Sequence, residues 1–100
     1  MHTIQFKLNA KGHGKFALIE NDDQIGEMVI GIADAKMTVY HTEVDPSQAG
    51  KGLAKELLNT MVGYAREHKL TVDPLCQYVF AQFSKHPDEY KDLWVPEELN

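Results

Sequence analysis

The chain has 100 residues and a formal net charge of −5, with 43% apolar and 25% charged residues. This length predicts one domain with a single small core, and the composition is ordinary for a globular protein. Acidic balance without a block of Lys or Arg argues against a nucleic-acid partner, and no apolar run approaches the length of a membrane span.

The N-terminal segment and the single cysteine together indicate one cellular compartment. The N-terminus lacks the basic and apolar layout of a signal peptide. Cys76 is the single cysteine, so it has no partner for an internal disulfide, and the reducing cytoplasm is the expected compartment. The five histidines are scattered without metal-ligand spacing, so no metal is expected.

Four segments in the first half have the apolar–polar alternation of strands with one buried face. They cover residues 4–8, 15–20, 24–32 and 37–44, and turns rich in Gly, Asn and Asp separate the first three. Such short connections favour antiparallel pairing, so the four strands predict a meander. Gly26 and Gly31, both inside the third strand, are expected positions for bulges.

Pro46 ends the fourth strand, and a helix is predicted over residues 52–68 because apolar residues recur there at spacings of three and four. His68 falls on this apolar stripe and is expected to be a core histidine. Residues 70–72 predict a short strand. After a helical crossover it should pair in parallel with the fourth strand.

Asp73 and Pro74 have the residue types of an N-cap and a first helical position, so a second helix is predicted over residues 75–85. Pro87 ends it, and one more helical turn is expected over residues 88–94. The acidic tail beyond that turn is expected to fray. The side chains of the second helix expected to face the core are Cys76, Val79, Phe80 and Phe83.

Residues 45–54, DPSQAGKGLA, form a glycine-rich turn that opens the first helix. Glycines at 50 and 52 allow a tight turn and close approach of a ligand. The first amides of the helix have no intrahelical partner and lie at the positive end of its dipole, which predicts a phosphate site; a plain loop is the alternative. A Walker A loop is excluded by spacing, and a dinucleotide fingerprint would need a glycine at Lys55.

The same turn resembles the acyl-CoA signature of the GNAT N-acetyltransferases, (Q/R)-x-x-G-x-(G/A). Residues 50–53, GKGL, are similar to the frequent core of that signature, and Ala54 fits its last position. The first position departs from the signature, because it holds Ala49 while Gln48 lies one residue early.

The second half of the chain extends the resemblance. Its segments VDPLCQY (72–78), FSKHP (83–87) and Tyr90 resemble a small bacterial and eukaryotic family of minimal GNAT-like acetyltransferases. The match covers residues 40–93 and the strand order before them. It implies a GNAT-like α+β fold, in which an antiparallel four-stranded meander is followed by a helix, a parallel splayed strand and C-terminal helices.

In a GNAT-like fold the fourth and fifth strands part at their C-terminal ends, and the pantetheine arm of acetyl-CoA lies in the gap. The resemblance therefore implies acetyl-CoA as cofactor, with its thioester near the end of the fourth strand and its pyrophosphate on the amides of the turn. The implied cofactor-binding residues are Thr42, Val44, Gln48, Ala49, Gly50, Lys51, Gly52, Leu53 and Ala54.

Acetyl transfer needs a neutral amine, a polarised carbonyl and a proton for the departing thiolate. The resemblance implies Glu43 as the general base, and the alternative for Glu43 is a solvated strand residue. His41, two residues away on the same face, is its rival for that role, and the alternative for His41 is a cross-strand partner. The resemblance also implies a role for Tyr78, which has the position of the tyrosine that protonates the thiolate in GNAT enzymes. The alternative is that Tyr78 only packs, with its hydroxyl hydrogen-bonded. Cys76, near a helix N-terminus, is a proton donor, an acetylated nucleophile or a small buried residue.

The sequence thus predicts a minimal N-acetyltransferase that moves an acetyl group from acetyl-CoA directly to an amine of a protein, a peptide or a small molecule. The alternatives are a module of the same fold that binds CoA or a protein with little catalysis, and a small α+β interaction protein without cofactor. We expect a monomer or weak dimer, with the acceptor held by a shallow surface, a second subunit or a large partner.

Overall fold

The structure is a computed structural model that describes residues 2–95. Its strands are β1 (His2–Leu8), β2 (His13–Glu20), β3 (Asp23–Ala33), β4 (Lys36–Val44) and β5 (Thr71–Pro74). Its helices are α1 (Leu53–Glu67), α2 (Gln77–Lys85) and α3 (Pro87–Tyr90), and a 3-10 turn covers Pro46–Gln48. No helix in this described part of the chain is long and apolar enough to cross a membrane.

The five strands form one sheet in the order β1-β2-β3-β4-β5. The first four pair antiparallel with their sequence neighbours, and β5 pairs in parallel with β4 after α1. The predicted meander, crossover helix and parallel strand are therefore confirmed, as is the α+β class. The outer edge of β5 is covered by the segment after α3, because the Val72 amide donates to the Leu93 carbonyl at 2.9 Å.

A bulge in β4 decides which of its side chains reach the core. Val29 pairs with His41 but Ile30 pairs with Val39, so Tyr40 is an extra residue in β4. Side chains alternate along a strand, so one extra residue reverses the faces that follow it. Val39 before the bulge is buried, whereas the odd-numbered residues after the bulge are exposed.

The second bulge lies beside one of the two glycines expected to form bulges. It makes Ile25 an extra residue of β3, immediately before Gly26. Gly31 instead pairs regularly with Thr38. A Cβ on Gly31 would lie 3.2 Å from Cε2 of Tyr40, so this glycine makes room for an aromatic ring.

Helix α1 packs on one face of the sheet along the apolar stripe that its sequence predicts. Its buried residues are Leu53, Leu57, Leu58, Met61, Val62 and Ala65. They join the inward residues of β2 to β5 and of α2 and α3 in one core. The opposite faces of β1 to β4 carry side chains that are mostly exposed or half-buried.

His68 lies outside this core, so its predicted core position is wrong. It is the C-cap of α1, with non-helical backbone angles (φ −96°, ψ 6°), and its exposed ring stacks on Tyr64 with 4.0 Å between ring centroids. The helical periodicity that placed it on the stripe ends one residue before it.

The predicted start of the second helix is also wrong. Pro74 continues β5 beside Val39 and is buried, and α2 begins at Gln77 with Cys76 as its N-cap. Asp73 is therefore a strand residue rather than an N-cap. A proline is tolerated at the end of a strand because no ladder amide is then required of it.

In α2 the predicted inward side chains are partly confirmed. Val79 and Phe83 are buried, but Phe80 is 50% exposed and packs edge-on against Trp94, with 5.5 Å between ring centroids. Val79 and Phe83, four residues apart, define the buried stripe of α2, and Phe80 lies at the side of that stripe. The buried Tyr90 and Leu93 dock the last helical turn, and the acidic tail at 96–100 lies outside the described residues.

Leu57→Ala should destabilise the protein by about 2–5 kcal/mol, because the side chain is fully buried and its loss leaves a cavity between α1 and the sheet. Urea unfolding followed by circular dichroism measures the change. The matched control is Asn59→Ala on the exposed face of the same helix, which should stay within about 0.5 kcal/mol of the parent. Equal stability of the two variants would contradict the packing of α1 described above.

Candidate functional site

Strands β4 and β5 separate after four paired residues. The ladder runs from Lys36 opposite Thr71 to Val39 opposite Pro74. One further bond follows, from the Cys76 amide to the Val39 carbonyl at 2.9 Å, and the chain then turns into α2. Beyond Val39, β4 continues with no strand on that side among the described residues.

The separated part of β4 exposes backbone groups that an extended ligand can pair with. The Asp45 amide donates to the Ile25 carbonyl at 2.7 Å, and bonded residues alternate along an antiparallel ladder. Glu43 and His41 therefore turn their peptide groups toward β3. Thr42 and Val44 turn theirs toward the gap, which makes them donors and acceptors for a strand-like partner.

A cleft of about 420 Å³ opens in this gap. Its lining residues are Tyr40, His41, Thr42, Leu75, Cys76, Gln77 and Tyr78. The buried Cys76 thiol donates to the Thr42 hydroxyl across the gap, with 3.2 Å from Sγ to Oγ1. The structure thus brings three of the four predicted catalytic side chains into one cleft, and Glu43 follows directly along β4.

Tyr78 is half-buried in the cleft. Burial raises the pKa of its hydroxyl above the usual value of 10.0, and the neighbouring Cys76 thiol adds to this effect. A tyrosine hydroxyl with its ordinary or a higher pKa is protonated at neutral pH, so Tyr78 has a proton to donate.

His41 and Glu43 project together from the exposed face of β4. Nε2 of His41 lies 3.3 Å from Oε2 of Glu43, and their side chains are 53% and 68% exposed. Such an exposed pair contributes little to stability, on the order of 0–1 kcal/mol. Its position beside the cleft, rather than its contribution to the fold, is what makes it a candidate for proton handling.

A third polar residue joins this pair from β3. Glu27 lies directly opposite Glu43, and one ligand atom from each of Glu27, His41 and Glu43 falls within 4.8 Å of the others. Glu27 is held on its other side by Lys15, at 3.3 Å. The amino-acid pattern does not single out Glu27, because its pairing with Glu43 depends on bulges that the pattern does not locate.

The glycine-rich turn lies at the end of β4. Asp45 accepts a bond from the Ser47 amide at 2.9 Å, which lowers the pKa of its carboxyl group and holds the start of the turn. Gly50 and Gly52 have φ of 83° and 72°, in the left-handed region that favours glycine. A Cβ at either position would meet no atom within 4 Å, so the space in front of the turn is open.

Helix α1 starts from this turn with its first amides free of a side-chain cap. Gly52 is the N-cap and makes no side-chain bond, and the buried Leu53 anchors the first turn in the core. Lys51 lies on the turn with its Nζ 2.8 Å from Oε1 of Gln48. Unpaired amides, the helix dipole and a lysine together suit oxygen atoms of an anion.

Comparisons with known proteins agree with this arrangement. Residues 15–93 match the family described as GCN5-related N-acetyl-transferase. A GCN5-like protein from Staphylococcus aureus, solved by NMR, is 25% identical with a TM-score of 0.68, over 94% of this chain and 90% of that one. No curated protein sequence matches the chain.

Two more distant structures share the fold. The ribosomal-protein-alanine N-acetyltransferase from Brucella melitensis biovar Abortus 2308 is 15% identical with a TM-score of 0.63, over 90% of this chain and 67% of that one. The ribosomal-protein-S18-alanine N-acetyltransferase from Escherichia coli is 17% identical with a TM-score of 0.59, over 64% and 42%.

The splayed sheet and the matched residues define the class of protein, an acyltransferase with the GNAT fold. The chain belongs to the GCN5-related N-acetyltransferase family.

Proposed function

We propose that this protein transfers an acetyl group from acetyl-CoA directly to an amine. One observation supports the proposal most strongly: the open edge of β4 at Thr42 and Val44 leads directly into the glycine-rich turn and the first amides of α1. A ligand that combines an amide-containing arm with a pyrophosphate fits this continuous surface.

The residues of the chain divide the binding between two parts. Backbone groups of Thr42 and Val44 would pair with the pantetheine arm, as an added strand pairs with a sheet edge. Residues 48–54 would hold the pyrophosphate through backbone amides and Lys51. Acetyl-CoA supplies an activated acetyl group as a thioester, and the chain supplies position and proton transfer.

Residues on two sides of the cleft, one on β4 and the other on α2, transfer the protons. On the exposed face of β4, Glu43 takes the proton that the acceptor ammonium must lose, and the adjacent His41 is the rival base or a relay to it. On the α2 side, Tyr78 gives a proton to the departing thiolate. Cys76 already donates to Thr42, so it holds the two walls of the cleft together.

The acceptor is an amine of a protein, a peptide or a small molecule, and it binds on the face of the sheet that α1 does not cover. That face is open, which suits a shallow contact or a large partner. A monomer or weak dimer in the reducing cytoplasm, with its thiol free, is the proposed working form. Nucleic acid is not a proposed partner, because the chain carries a net charge of −5.

A module that binds CoA with little catalysis is the second candidate. Ala49 stands where the family signature has Gln or Arg, and the side-chain oxygen of Gln48 accepts a hydrogen bond from Lys51. Tight CoA binding without turnover across a panel of amines favours this candidate over the enzyme.

Gly52→Val should weaken acetyl-CoA binding by at least tenfold. A branched side chain is strained at φ 72°, and it would stand in the open space where the pyrophosphate approaches. Isothermal titration calorimetry on the folded variant measures the affinity, with Gly63→Ala as the control, since that exposed helical glycine also has open space around it. Equal affinity of Gly52→Val and the parent rules out the phosphate cradle.

Glu43→Gln should lower kcat at least tenfold and change acetyl-CoA affinity by less than about threefold, because its proposed role is proton transfer rather than binding. Steady-state kinetics and calorimetry separate the two effects. If Glu43→Gln keeps its rate while His41→Ala loses it, the base is His41 instead.

Mixing the protein with acetyl-CoA in the absence of an amine should leave its intact mass unchanged, because direct transfer forms no acetyl-enzyme. The competing route would move the acetyl group from the CoA sulfur to Sγ of Cys76 and release CoA as the thiol. A stoichiometric gain of one acetyl group on Cys76, formed and discharged at the turnover rate, would establish that route. Cys76→Ser should keep part of the activity if transfer is direct.

A further inference from the structure

Tyr40 has an unusual position for a large aromatic residue. The bulge makes it the extra residue of β4, and its ring lies over Gly31, whose missing side chain leaves the space. Gly31 points away from the core, since the core-facing positions of β3 are the even-numbered ones around it. The Tyr40 ring therefore lies on the same face of the sheet as His41 and Glu43.

The ring is 50% exposed at the mouth of the cleft. On the opposite wall Leu75 is 59% exposed, so two large apolar side chains frame one opening. Single exposed apolar residues are ordinary on a protein surface, but here both belong to one concave surface that also holds Cys76 and Tyr78. Apolar walls with a few convergent polar groups are the usual form of a small-ligand site.

We propose that Tyr40 is a specificity-determining residue for the acceptor, and that its ring contacts the ammonium group and first carbons of an aliphatic amine. This inference rests on the proposed acetyl transfer. The acceptor arrives as a cation, because aliphatic amines such as the lysine side chain have a pKa of about 10.4. An aromatic face attracts such a cation, and the carboxylates of Glu43 and Glu27 lie on the same face of the sheet.

The acceptor, rather than the cofactor, is the partner assigned to Tyr40. The cofactor pairs with backbone groups of Thr42 and Val44 on the edge of β4, whereas the Tyr40 ring lies on the face of the sheet over Gly31. The acceptor class that fits is a primary aliphatic amine with its charge at the end of a carbon chain. An amine that carries a carboxylate beside its nitrogen fits poorly, because Glu27 and Glu43 repel it.

The first test compares variants with n-pentylamine as acceptor. Tyr40→Ala should raise the acceptor KM about five- to tenfold, because a cation contact and an apolar contact are both lost. Tyr40→Phe keeps the ring and should stay within about twofold of the parent. The acetyl-CoA KM should be unchanged in both. Phe80→Ala is the matched control, since Phe80 is also 50% exposed but does not line the cleft.

Gly31→Ala tests the position of the Tyr40 ring over Gly31 while keeping the ring itself. Its new methyl group would lie 3.2 Å from Cε2 of Tyr40, so the ring must move by a few tenths of an ångström, and the acceptor KM should rise in the same direction as in Tyr40→Ala. Circular dichroism establishes that each variant is folded before kinetics are measured.

A binding measurement keeps this inference separate from the proposed function. With CoA present, n-pentylammonium chloride is titrated into the protein, and the ring proton signals of Tyr40, assigned by comparison with Tyr40→Phe, should shift with the added amine. If they shift but no amine is acetylated, acetyl transfer is wrong and the amine contact stands. If they do not shift at tens of millimolar amine, or if Tyr40→Ala turns over n-pentylamine with the parent KM, the inference is overturned.

Discussion

The structure depends on the point at which β4 and β5 stop pairing. Both strands follow a regular parallel ladder up to Pro74, whose ring nitrogen has no hydrogen to donate. One more backbone bond, from Cys76 to Val39, ends the contact, and α2 then carries the chain away from the sheet. A sheet normally satisfies every internal backbone group with a neighbouring strand, so this early separation leaves an edge that a ligand can complete.

The bulge at Tyr40 lies on the same strand. It makes the side chains on the two faces of β4 beside the gap differ in character. Before the bulge, β4 sends its odd-numbered residues into the core, and after it sends them to the open face. His41 and Glu43 thus stand outside while Thr42 turns inward to Cys76. One inserted residue separates a polar face for proton transfer from a sheltered wall beside α2.

The fold can be predicted from the amino-acid sequence because alternation, helical periodicity and turn residues are local signals. These signals predict the four strands, α1 and the parallel strand near their observed bounds, and they predict the glycine-rich turn at the start of α1. Other features depend on long-range pairing. Asp73 and Pro74 have the residue types of a helix start, but the ladder with β4 takes them into β5. The position of Glu27 opposite Glu43 and the contact of the Tyr40 ring with Gly31 both depend on strand register. The bulges shift that register by one residue.

The order of the strands also bears on how the protein assembles. In the meander every strand pairs with its neighbour in sequence across a short turn, so those contacts close small loops and form readily. The ladder between β4 and β5 instead closes a longer loop, which contains the whole glycine-rich turn and α1. The cleft therefore lies at the boundary between two parts of the sheet. One is the meander of β1 to β4, and the other is β5, which joins the meander across the longest connection between neighbouring strands. A ligand held on both sides of that boundary would bind to the finished sheet and resist its reopening, so occupancy and completion of the fold are linked.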